Sequence, residues 1–193
     1  MASSDDILNA ALSLFNQRGY RQVTVDDIAH KRGISKRTLY QHFESKEEIA
    51  RQVVLRELTM LGDAVDEIKK DDSLDFVVAF TNILGAVQRA VGGFSMTFLE
   101  DIERYAPSVF QLIVDFRTDR IQFLTELFRR SQEEGAVRQE INPEWAAKFL
   151  ILIANQFVRP EFLQREEVPL RQAIDLVREI FLYGIANLAQ REN

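Results

Sequence analysis

The chain contains no cysteine. Disulfides, thiolate metal sites and cysteine nucleophiles are therefore excluded, in keeping with a reducing compartment. Histidine is scarce, with His30 and His42 alone among 193 residues. A carboxylate di-metal bundle needs two Glu-x-x-His units on separate helices, and neither histidine has a glutamate three places before it. No glycine-rich phosphate loop or nucleophile elbow is present. No uninterrupted apolar run reaches the ~18 residues of a membrane span. The most tempting stretch, residues 149–157, is too short and includes Asn155 and Gln156. Asp5 and Asp6 sit where a secretory signal would need basic residues. These absences predict a soluble protein that is not an enzyme, is not membrane-bound and holds no metal or cofactor.

Helical periodicity runs through nearly the whole chain, and no alternating strand pattern competes with it. Ile7, Ala11, Leu14 and Phe15 form one apolar stripe, which predicts a helix over 5–18 ended by Gly19. Thr24 and Asp27 make a capping box for a second helix over 25–31. Gly33 then suits a tight turn, and Ser35 caps a short third helix over 36–42. Ser45 and Glu48 cap a long fourth helix over 46–70. Further helices are expected from Phe76 to Val91, over 94–103, from Pro107 to 134, over 143–160, and from Pro169 to 189. The fold class is all-α. Three short helices followed by long ones suggest two domains, an N-terminal head over 1–48 and a helical bundle over 49–193.

Charge is unevenly spread. The formal net charge is −6, yet residues 30–46 hold Lys31, Arg32, Lys36, Arg37 and Lys46 against Glu44 alone. A cationic patch on an acidic body is the footprint of a polyanion partner. Two helices joined by a short glycine-containing turn describe a helix-turn-helix. The second helix of such a unit enters the major groove. Lys36, Arg37 and Thr38 would then reach base edges, with Lys or Arg suited to guanine and a Thr methyl to thymine. Leu39 and Phe43 would anchor the helix. Tyr40, Gln41 and His42 fall on flanks where phosphates run. The N-termini at Thr24 and Lys46 offer free N–H groups to phosphate oxygens.

The stretch TVDDIAHKRGISKRTLYQHFESKEEI strongly resembles the N-terminal domain of the tetracycline-repressor (TetR) family. Thr24, Ile28, Ala29, Gly33, Ile34, Ser35, Leu39, Tyr40, His42, Phe43, Lys46 and Ile49 match the family pattern, and Ala11, Phe15, Gly19 and Tyr20 suit its first helix. The resemblance implies a cytoplasmic homodimeric transcription regulator, usually a repressor, with double-stranded DNA as its partner. It implies phosphate contacts from Thr24, Tyr40, His42 and Lys46, and base-facing positions at Ser35, Lys36, Arg37, Thr38 and Gln41.

The body is less explicit. Helices 143–159 and 169–189 are apolar on more than one side, which calls for cover on two sides. A symmetric contact between two copies would supply it, with Ala146, Leu150, Ile153 and Phe157 on one helix and Leu176, Ile180, Tyr183 and Asn187 on the other. Phenylalanine is abundant, with 14 residues. The family resemblance places Phe76, Phe80, Leu84, Phe94, Phe98, Phe116 and Phe123 around an effector cavity, with Thr97, Tyr105 and Asn155 as polar candidates. The expected effector is small and largely hydrophobic or aromatic. Two alternatives stay open: a body that answers to a protein partner, and a helical-bundle enzyme.

Overall fold

The computed structural model describes residues 3–71, 73–157 (the Phe157 side chain excepted) and 159–185. Eleven helices are found among them: α1 Ser4–Gln22, α2 Val25–Arg32, α3 Lys36–Tyr40, α4 Lys46–Lys70, α5 Phe76–Gly92, α6 Met96–Tyr105, α7 Pro107–Thr118, α8 Ile121–Glu133, α9 Pro143–Phe157, α10 Pro160–Arg165 and α11 Leu170–Ile185. The all-α expectation is met. No single helix among the described residues is long and apolar enough to cross a membrane.

Packing groups the helices into two compact units, and α4 and α7 contribute to both. The first comprises the described residues up to Met60 together with Gly93–Ile113; the second comprises Leu61–Gly92 and the described residues from Val114 onward. The boundary expected after residue 48 follows the helix-turn-helix, whereas the packing unit is larger because α6 joins it. Phe15 of α1 stacks on Phe98 of α6 with ring centroids 5.1 Å apart. Asn16 donates to the Gly93 carbonyl and accepts from the Ser95 amide, both at 2.7 Å. The Asp101 carboxylate accepts the Arg21 amide at 2.8 Å. That last contact needs the break at Gly19, where φ is +79°, so the glycine predicted to end the first helix interrupts it instead.

The second unit is built round four phenylalanines. Phe80 lies 5.6 Å from Phe76, 6.2 Å from Phe128 and 6.2 Å from Phe181, all centroid to centroid. Leu124, Ala147, Leu150 and Ile151 are buried in the same cluster. Each such ring removes a large apolar area from water and dominates the local stability.

Helix boundaries also differ from the sequence reading after Pro107 and after Pro160. The helix expected from Pro107 to 134 is two helices, α7 and α8, separated at Asp119 and Arg120. No glycine or proline marks that break. The Arg120 amide bonds the Arg117 carbonyl three residues back at 3.1 Å, tightening the turn, while its guanidinium covers the Phe116 ring at 4.4 Å. The segment after Pro160 also holds the short helix α10, which Pro160 begins rather than ends. Glu167 takes a left-handed φ of 53° there, and the Val168 amide closes the end on the Leu163 carbonyl at 2.9 Å.

Candidate nucleic-acid interface

The head is assembled by local chemistry. Thr24 and Asp27 form the expected box: the Asp27 amide donates to the Thr24 hydroxyl at 3.1 Å, and the Thr24 amide donates to the Asp27 carboxylate at 2.8 Å. The Thr24 hydroxyl also donates to Asp27 at 2.6 Å, and these bonds hold the Asp27 carboxyl below its ordinary pKa. Gly33 turns left-handed at φ 72°, ψ 35°, which lets the Ile34 amide reach back to the Ala29 carbonyl at 3.0 Å. A Cβ is strained in that conformation. Ser35 caps α3 by accepting the Thr38 amide at 3.0 Å, and its hydroxyl also meets the Thr38 hydroxyl at 2.8 Å.

Helix α3 is shorter than expected. After Tyr40 the backbone tightens, with the His42 amide on the Leu39 carbonyl at 3.0 Å. Gln41 and His42 therefore sit in a turn. The helix is pinned by Leu39, fully buried, and by Phe43, also buried. With that side held inward, Lys36, Arg37, Tyr40, Gln41 and His42 are exposed and Thr38 is half-buried. This is a short helix presenting cations, hydroxyls and an amide outward, with its register set by an apolar anchor.

Not every candidate is equally available. Lys36 donates to Asp26 of α2 at 3.0 Å, a pairing that raises the lysine's pKa. Lys46 is half-buried and donates to the carbonyls of Tyr20 and Val23, each at 3.0 Å. Its ammonium also lies 4.2 Å from the Tyr20 ring centroid. An ammonium has three donors, so one N–H of Lys46 is left for another acceptor. Burial lowers the Lys46 pKa and raises that of the Tyr20 hydroxyl. His42 meets the Ser4 hydroxyl through Nδ1 at 3.2 Å. Arg32 clamps Asp6 of α1 at 2.8 Å, and that bond is the first cause of a lowered Asp6 pKa. Sequence reasoning did not find Asp26 as the partner of Lys36; its only signal was an acid in the first turn of the preceding helix.

The ten effector candidates are divided between the two units. Phe94, Thr97, Phe98 and Tyr105 lie in the first. There Phe98 packs on Phe15 and Phe94, Thr97 is exposed, and the Tyr105 hydroxyl accepts from Arg21 at 3.1 Å. In the second unit a cleft of about 770 Å³ is lined by Phe76 and Phe123 among the candidates, with Ile68, Ile83 and Leu127 beside them. Phe80 is fully buried in the core with Leu84 packed against it. Phe116 packs against Leu61, Val65, Ile83 and Ala86. The Asn155 carbonyl oxygen accepts from Arg117 at 3.4 Å. Periodicity marked which residues are apolar, not which neighbours cover them.

The pairing surface needs a correction on α9. Leu150 is buried, and Ala146 and Ile153 pack against the same core, so this stripe already has its cover within the chain. The opposite stripe is exposed: Trp145 by 69%, Phe149 by 58% and Leu152 by 56%. On α11, Leu176, Ile180 and Tyr183 are exposed. The Phe157 side chain and Asn187 fall outside the described residues.

The chain is similar to known proteins over its head and beyond it. Residues 7–53 match the family described as "Bacterial regulatory proteins, tetR family". An HTH-type transcriptional regulator of Bacillus subtilis, YvaF, is 22% identical over 179 residues, covering 93% of each chain. The IcaR negative transcriptional regulator of the Staphylococcus epidermidis icaADBC biofilm operon is 44% identical over 50 residues, 26% of this chain and 27% of its own. The solved structure of PfmR, a TetR family transcriptional regulator from Thermus thermophilus, aligns with a TM-score of 0.66 at 26% identity over 92% of this chain and 97% of that one. Those relatives are regulators rather than enzymes, and together with the capped, basic helix-turn-helix they show that this chain belongs to the TetR family of transcriptional regulators.

Proposed function

We propose that the protein is a homodimeric repressor that sits on a palindromic operator and leaves it when the second unit takes up a small, largely apolar effector. The observation carrying this reading is the outward face of α3, where Arg37, Tyr40 and Gln41 stand exposed beside Lys36 while Leu39 and Phe43 hold the helix from behind. Arg37 and Lys36 suit base edges, and Tyr40, His42 and the remaining Lys46 donor suit phosphates, whereas the amide and hydroxyl of Thr24 are both given to Asp27.

Pairing is supported by the surface of α9 and α11. Trp145, Phe149 and Leu152 repeat at i, i+4 and i+7, and so do Leu176, Ile180 and Tyr183. Each set is more than half exposed. An apolar stripe of this kind on each of two helices suits an isologous four-helix contact. Two heads held by such a contact would meet half-sites ~34–36 Å apart or at multiples of that spacing. The effector would act by favouring the arrangement whose heads miss those half-sites.

Sedimentation equilibrium combined with footprinting on the promoter region of its own gene tests the proposal. The wild-type chain should sediment as a dimer and protect two symmetric half-sites. Ile180→Glu should sediment as a monomer and lose at least tenfold in operator affinity while keeping its helical circular dichroism. A wild-type chain that stays monomeric, or an Ile180→Glu variant that remains dimeric, would overturn the pairing surface.

A further inference from the structure

We infer that the cleft of the second unit takes a lipophilic organic cation, an inference that rests on the reading of this unit as the effector-holding one. Its floor is apolar, made by Phe76, Ala79, Ile83, Phe123 and Leu127. Such a floor offers a ligand no hydrogen bond and favours a hydrocarbon or aromatic body.

The rim selects charge. Among the described lining residues, Lys69 and Arg130 face Asp71, Asp119, Glu126 and Glu134, two cations against four carboxylates. Arg130 is already bound to Glu134 at 2.9 Å, and Glu126 is paired with Arg129. Asp71 is capped by the Ser73 amide at 3.0 Å and by the Ser73 hydroxyl, yet keeps its charge, and its pKa is lowered by those bonds. Asp119 has no side-chain partner among the described residues, and it stands in the turn between α7 and α8 at the edge of the apolar floor.

The aromatic floor agrees with the rim. The Lys69 ammonium lies 5.9 Å from the Phe123 ring centroid, so the negative face of that ring is already turned towards a positive charge. A flexible lysine can swing into water, and a ligand cation can take its place. A diffuse organic cation is the better occupant because it is weakly hydrated and carries its own apolar surface to the floor. An anion of the same shape would meet Asp71 and Asp119, with Lys69 as its counter-charge among the described lining residues.

Tetraphenylphosphonium and tetraphenylborate test this, being alike in shape and opposite in sign. Calorimetric titration of each into the full chain in sodium chloride should show tetraphenylphosphonium binding at one site per chain, at least tenfold tighter than tetraphenylborate. Asp119→Asn should weaken the phosphonium about fivefold and Lys69→Met should tighten it by a similar factor, the effect of one unit charge ~6–8 Å away in a half-solvated cleft. Both changes should shrink as salt rises. Equal or reversed preference between the two ions, no binding of either, or variants that shift both ions alike would overturn the inference. Operator affinity is measured separately by fluorescence anisotropy. Loss of the regulatory reading with cation selectivity intact leaves the cleft assignment standing, and operator binding without cation selectivity does the reverse.

Discussion

Replacing Asp26 with asparagine should make the protein bind DNA more tightly. In the free protein Lys36 donates to Asp26 at 3.0 Å, and both side chains are more than half exposed. The pair is therefore electrically neutral at the face that would meet the DNA. Removing the carboxylate frees one cation per head to neutralise DNA charge from within the groove, and each such contact displaces condensed counterions. Affinity then varies with salt to the power of about −0.9 per contact. At ~0.15 M monovalent salt that factor is about 5 per head, hence about 30 for a dimer with two heads engaged. The slope of log affinity against log salt should steepen by about 1.8 for the dimer. Fold stability should change little, because exposed ion pairs contribute little. Fluorescence anisotropy with an operator duplex, measured over a salt series from about 50 to about 300 mM, reads both quantities. The double variant Asp26→Asn, Lys36→Gln should return the slope to the wild-type value or below it. An unchanged slope in the single variant would refute the placement of Lys36 at the DNA-facing surface.

Two further outcomes follow from the same geometry. Gly19→Ala meets a φ of +79° and would drive its Cβ into an Asp101 oxygen, so thermal unfolding should show a loss of about 2–4 kcal/mol, strain and clash together. Gly33→Ala has φ +72° but nothing within 4 Å and should lose only about 1 kcal/mol; equal losses would show that the close approach of α1 to Asp101 is unimportant. The Asp6 and Asp27 carboxyls both have pKa values lowered in the fold, by Arg32 and Ser3 and by Thr24 respectively. Their contribution is complete above the ordinary carboxylate range and is lost as pH falls through the lowered values. Midpoint temperatures measured as pH is lowered through and below the ordinary carboxylate range should therefore fall less steeply in Asp6→Asn and Asp27→Asn than in wild type.

Local signals carried the head. Caps at Thr24 and Ser35, the glycine turn at Gly33 and the anchor pair Leu39 and Phe43 act within a few residues of one another, so their chemistry can be read in a line of letters. The family likewise rests on residues 7–53. The all-α class, the helix-turn-helix and its outward basic face are legible in the letters alone, because hydrogen-bond caps and 3.6-residue periodicity are local properties. Packing between distant elements settles which side of α9 is covered, where the helix after Pro107 breaks, that Lys46 is committed to the Tyr20 and Val23 carbonyls, and which phenylalanines line a cleft rather than fill a core. Each of these depends on which distant element arrives at a given face, and an amphipathic pattern names an apolar face without naming its neighbour.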